Sequence, residues 1–135
     1  MVTSIGCTPE FGCARGAFNP AQSTTEAIDS NNRVTEGNIG VDYYFSGQNA
    51  TDVFYMTNGV NMIDQFFPFF IIESVANGNG QSGIIFPYDG IMGLSPDVDG
   101  DTLISLGVPI PLHLKNTNKI ASGIAAIDMY ADPTI

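Results

Sequence analysis

Phe66-Phe67-Pro68-Phe69-Phe70-Ile71-Ile72 is the longest apolar run in the chain, and its reading decides the fold class. Seven residues fall far short of the roughly 20 that a membrane-crossing helix needs. Aromatic and β-branched side chains dominate the run, which is the composition of a strand. Pro68 has no N–H for a ladder, so a bulge or an edge position is expected beside it. Residues 41–45 and 53–56 have the same strand composition, and Asn58-Gly59 between Met56 and Val60 is the strongest hairpin signal in the sequence.

Outward from this centre the pattern stays short and interrupted. Residues 77–83 read as a glycine-rich loop, residues 84–86 as a short strand stopped by Pro87, and residues 123–130 as a last strand. One helix is expected over residues 111–118, with Pro111 in its first turn. Residues 1–32 read as loop, with turn clusters at Ser23-Thr24-Thr25 and Asp29-Ser30-Asn31-Asn32. Gly, Pro and Asn together number 34 of 135 residues, so turns are frequent and long helices scarce. No repeat, linker or low-complexity block divides the chain. The expected architecture is one all-β unit with a single short helix.

Charge narrows the function classes. Fourteen acids against four bases leave a net charge of −10, and Arg15, Arg33, Lys115 and Lys119 are scattered. Nucleic-acid binding needs clustered cations to neutralise phosphates, so it is not expected. The same balance disfavours an anionic membrane face. The first twenty residues carry Glu10 and Arg15 and no apolar core, so no signal peptide is expected.

Several patterns invite a chemical reading and fail on their context. Gly78, Gly80 and Gly83 satisfy G-x-G-x-x-G, but Ile84-Ile85-Phe86-Pro87 follows where a helix should open. Asp97, Asp99 and Asp101 alternate like calcium ligands, yet the sixth and twelfth positions hold Thr102 and Val108 instead of glycine and glutamate. No G-x-S-x-G elbow occurs, and His113, the single histidine, reads as a half-buried structural residue. With one histidine and two cysteines a structural zinc centre is not expected. Cys7 and Cys13 form either a small disulfide loop or two free thiols. Asn49-Ala50-Thr51 is an N-glycosylation acceptor triplet. No cofactor is expected.

Taken in order, several segments resemble the middle of the N-terminal lobe of the pepsin-like aspartic proteases. Pro87-Tyr88-Asp89-Gly90-Ile91-Met92-Gly93-Leu94 is similar to the family's F-D-G-I-L-G-L. Met1-Val2-Thr3-Ser4-Ile5-Gly6-Cys7 is similar to W-V-P-S-x-x-C, and Phe18-Asn19-Pro20-Ala21-Gln22-Ser23-Thr24-Thr25 to F-x-P-x-x-S-S-T. Gly47 with Asp52-Val53 resembles G-x-x-x-x-D-x-V, with the valine one position early and Phe54 in its place, and residues 115–120 resemble a helix end that follows in the family. The landmarks run in family order and cover nearly the whole chain.

The resemblance implies that residues 1–135 are part of a lobe of the double-psi β-barrel type, from an endopeptidase that holds peptide under a β-hairpin flap. It implies a Cys7–Cys13 disulfide, a secreted or vacuolar/lysosomal location, and as partners a peptide or protein substrate and the remainder of a two-lobed protease. Ile91 would line the substrate cleft, and Tyr43 or Tyr44 would cover it, although neither tyrosine is followed by the glycine of the family's flap tip. The departure that matters most is catalytic. The family's two aspartates each stand in D-T-G or D-S-G, and this sequence has neither. Asp89-Gly90 corresponds to a brace outside the dyad, so no catalytic residue is assigned. The expectation is an incomplete lobe, inactive alone. The alternatives are a non-catalytic binding module on the same fold and a generic acidic β-domain that binds calcium at residues 97–101.

Overall fold

The computed structural model describes residues 1–39, 43–55, 62–79, 81, 83–94 and 109–126. Four strands dominate it: β1 (Val2–Thr3), β2 (Ala27–Ile39), β3 (Tyr43–Tyr55) and β4 (Met62–Ala76). They form one sheet in the order β1-β4-β3-β2, with β1 parallel to β4 and the other pairs antiparallel. One short helix, α1 (Ile110–Asn116), completes the regular structure among the described residues. The chain is therefore mostly strand, as its composition implies.

The run at residues 66–72 lies inside the longest strand, and the sheet shows why it does not alternate. Phe70, Ile71 and Ile72 are consecutive and all at most 2% exposed, so β4 is covered on both faces there. On one face Phe70 and Ile72 join Phe45, Val75, Phe86 and the two cysteines in a buried cluster. On the other, Phe69 meets Phe18 edge-on at 5.3 Å and Phe67 meets the His113 ring at 5.1 Å. Pro68 stands opposite Thr51, beyond the β1 pairing at Ile71–Ile72. A register shift lies next to it, because Asp52 pairs with Phe67 but Phe54 pairs with Asp64. A bulge and an unpaired edge thus both accommodate the missing N–H.

Asn58-Gly59 falls outside the described residues, but the strands that flank it do pair, with Tyr55 opposite Met62. The helix starts one residue early, at Ile110, with Pro109 extended before it and Pro111 in its first turn. At its end the Thr117 N–H and hydroxyl both donate to the His113 carbonyl at 2.9 Å, and Asn118 turns left-handed at φ 57°.

Two expectations need correction. Residues 1–32 are not all loop: β1 occupies Val2–Thr3, and β2 begins at Ala27. The turn expected at residues 29–32 is instead part of β2. Ile28 pairs with Ala50 and Arg33 with Gln48, so these four residues face Asn49 alone across an irregular step. The expected last strand is also absent from residues 123–126, which form no ladder, with Ile124 77% exposed. Residues 127–130 of that expectation lie outside the described residues.

Gly47 faces the closest backbone approach in the sheet. A Cβ there would lie 1.8 Å from the Ile71 carbonyl oxygen, at the step where Ser46 pairs with Ser74 and Gly47 with Ile72. Gly47→Ala must push β3 from β4, at a cost of about 1–3 kcal/mol or more. Urea unfolding checks this: the midpoint should fall without a change in slope, and an unchanged midpoint would contradict the close approach.

Candidate functional site

The landmarks singled out in the sequence converge on β1. It runs between β4 and the segment at Asp89–Ile91, pairing in parallel with Ile71 and Ile72 on one side and through an antiparallel Val2–Gly90 bridge on the other. Met1 and Ile91 exchange two hydrogen bonds: each backbone nitrogen donates to the other's carbonyl at 2.9 Å. Burial lowers the pKa of the Met1 amino group below its usual range. Gly90 makes this contact possible. A Cβ there would stand 2.3 Å from the Met1 carbonyl oxygen and 3.0 Å from the Val2 Cα.

Thr3, fully buried, ties three segments together. Its N–H and its hydroxyl both donate to the Asp89 carbonyl, at 2.8 and 3.0 Å. Its own carbonyl accepts from Ala17 and Phe18, and the hydroxyl oxygen accepts from Ala17. A buried hydroxyl with donor and acceptor roles both filled carries no desolvation debt. Nothing in the sequence flagged Thr3; its role appears only when the three segments meet.

Asp89 turns its carboxylate outward. Arg15 Nε donates to Oδ1 at 2.5 Å and Arg15 Nη2 to Oδ2 at 3.0 Å, a two-pronged pair on the surface. Both side chains are more than half exposed, so the pair adds little stability. Asp89 is thus engaged by a cation on the surface.

Cys7 and Cys13 are disulfide-bonded and wholly buried. The loop they close folds as a 3-10 turn at Pro9–Phe11, and Cys13 bridges in parallel to Phe86. The Phe86 N–H donates to the Gly12 carbonyl and the Ala14 N–H to the Phe86 carbonyl. The Phe86 ring meets Phe45 and Tyr43 edge-on, each at 5.3 Å.

The tyrosines expected to cover a cleft stand at the turn end of the β2–β3 hairpin, where Tyr43 pairs with Ile39 and Tyr44 with Asn38. Tyr43 packs on Phe86 and Phe45 and belongs to the edge of the core. Tyr44 follows it on the opposite face of the strand and is half-buried. Ile91 packs against the same cluster as Tyr43, so the structure brings these two expected site residues to one core and sets Tyr44 apart. Asn49 lies mid-strand opposite Phe70 with its amide oxygen buried, so the glycosylation triplet is in a strand, not a surface loop.

A separate concavity of about 340 Å³ lies across β2, β3 and β4, walled by Ala27, Ile28, Asn49, Ala50, Pro68 and Phe69. None of the residues expected to bind peptide lines it. Gly83 is followed by a bridging Phe86 and no helix, which leaves G-x-G-x-x-G without the helix terminus it requires. Residues 97–101 lie outside the described residues, and no group of metal-ligating side chains occurs among the described ones. No described helix is long and apolar enough to cross a membrane. No family model, curated protein or solved structure matches the chain.

Two outcomes follow from this geometry. Unreduced digests should yield a Cys7–Cys13 cross-linked peptide, and Cys→Ser at both positions should cost about 2–3 kcal/mol, the chain-entropy value for so short a loop. Two alkylated thiols in freshly prepared protein would overturn the bond. Gly90→Ala should destabilise by about 1–3 kcal/mol or more, since Met1 and Val2 must retreat. A thermal melt equal to that of the parent would show that β1 has room to spare.

Proposed function

We propose that this chain is part of the N-terminal lobe of a pepsin-like aspartic endopeptidase, contributing the peptide-holding and bracing parts of the site. The observation that carries this reading is the pairing of β1 with Asp89–Ile91. The two segments most similar to the family in sequence, Met1–Cys7 and Pro87–Leu94, lie 86 residues apart at Thr3 and Asp89, yet they are hydrogen-bonded neighbours. A brace must touch the strand that leads away from a catalytic turn, and this contact has that form. The buried Cys7–Cys13 loop and the β2–β3 hairpin support the reading in the same way.

Catalysis in such enzymes needs two close carboxylates that share one proton and activate a water. These 135 residues contain no D-T-G or D-S-G, so they supply neither carboxylate. What they can do is hold an extended peptide along the β2–β3 hairpin by backbone pairing and present Ile91 beneath it. The disulfide fits a protein that matures in an oxidising compartment, which agrees with a secreted or vacuolar location. A second reading, a non-catalytic binding module on this scaffold, is favoured by the lack of D-T-G and D-S-G among these 135 residues.

Coding DNA upstream of the Met1 codon separates the two readings. An in-frame D-T-G or D-S-G ending a few residues before Met1 supports the protease, and an open frame that reads through without one supports the binding module. In an acid-pH fluorogenic peptide assay the 135-residue chain should show no turnover. Turnover blocked by an inhibitor of the aspartate dyad would sink the assignment of parts, and Asp89→Asn would then show whether Asp89 is a member of the dyad.

A further inference from the structure

The base of the β2–β3 hairpin carries an electrostatic conflict that neither the brace nor the disulfide explains. Ala27 pairs with Thr51 and Ile28 with Ala50. Extending that register by one residue sets Glu26 directly across from Asp52. Like charges opposite each other on neighbouring strands repel. The surroundings hold Asp52 in place and leave Glu26 without relief. Asp52 Oδ1 accepts the Thr25 hydroxyl at 2.5 Å and the Val53 N–H at 2.7 Å. Ser23 Oγ accepts the N–H groups of Thr25 and Glu26, which fixes the approach of the chain into β2. Glu26 Oε1, by contrast, is buried with no hydrogen-bond partner.

Among the described side chains no cation offsets this. Asp52 is the charged group acting on Glu26 among the described residues. On the β4 side Asp52 pairs with Phe67, whose ring lies against His113 of α1. Arg15 is engaged with Asp89, and Lys115 and Lys119 lie in or just after α1. A buried carboxylate oxygen that has no donor and faces a second carboxylate is relieved by a proton.

We propose that Glu26 and Asp52 form a proton-operated latch: acidification places a proton on the pair and fastens the start of β2 to β3, and neutral pH loosens it. The proton resides on Glu26, whose Oε1 has no donor, whereas Asp52 Oδ1 already accepts from Thr25 and Val53. Burial first, and the Asp52 charge second, raise the Glu26 pKa above the usual glutamate range. The protonated form is thus favoured by folding. Its contribution to stability is fully present below the ordinary glutamate range and is lost as pH rises through the raised value. The latch is independent of the protease reading, since it needs only the strand register and the two carboxyl groups.

Carboxyl-carbon NMR titration of the labelled 135-residue chain tests it. Glu26 should titrate above the ordinary glutamate range, and Asp52→Asn should move its midpoint down toward that range. The asparagine side-chain oxygen can still accept from Thr25 and Val53, so this variant keeps the local hydrogen bonds. Glu26→Gln should raise the melting temperature at neutral pH and flatten its fall between acid and neutral pH. A Glu26 midpoint within the ordinary glutamate range, or one unmoved by Asp52→Asn, would overturn the latch.

Discussion

The insertion of Met1–Thr3 between β4 and Asp89–Ile91 is the constraint on which the rest depends. A two-residue strand has almost no intrinsic stability, yet β1 is bonded on both sides and its Thr3 is wholly buried. Take Thr3 away and the Asp89 carbonyl loses both of its donors, while Ala17 and Phe18 lose their acceptor. Two segments far apart in sequence, at Ala17–Phe18 and Asp89, would then carry unpaired backbone groups, which costs more than a lost hydrogen bond in water. Gly90 is the sequence-level condition for the insertion, because any side chain there would occupy the space of the Met1 carbonyl.

The disulfide loop follows from the same arrangement. It lies against β4 through the buried cluster of Cys7, Cys13, Phe70, Ile72 and Val75, and Phe86 closes the cluster from the far side. Edge-to-face contacts of Phe86 with Phe45 and Tyr43 fill the space with rings whose positive edges meet negative faces. A cross-link over so short a loop removes little unfolded-state entropy, so its main effect is to keep that lid compact. Tyr43 is drawn into this packing, which explains why a tyrosine near the hairpin turn behaves as core.

How much of this could be read from the sequence depended on whether the signal was local. The run at residues 66–72 was legible because apolar and aromatic content alone marks a strand, and it was too dense to alternate because both faces are covered. Asn58-Gly59 correctly implied that the strands on either side of it pair. The helix was legible from proline placement to within two residues. What stayed hidden was set by partners. β2 is polar and turn-like at residues 29–32, and its strand character comes from β3 alone. β1 is too short to show a period. Residues 123–126 have apolar content but no neighbour to pair with, so composition misled there. Of the expected site residues, Tyr43 and Ile91 do meet at one cluster, but nothing local distinguished a ring that packs on Phe86 from one that covers a cleft.

The chain's acids separate into two physical situations, and that separation bears on what the scaffold can do. Asp89 meets a guanidinium on the surface, where solvent supports both charges. Glu26 sits at the edge of the sheet, has a buried oxygen and faces an anion. A carboxylate stabilised by a cation is a poor proton store, because its charged form is already satisfied. A carboxylate set against another is a good one, because charge is what its surroundings resist. The surplus of acids, fourteen against four bases, makes the second situation the cheaper one to arise anywhere in the fold, since few cations are available to prevent it. Protonation should therefore act at Glu26, while the Asp89 segment is held through backbone hydrogen bonds that carry no titrating group.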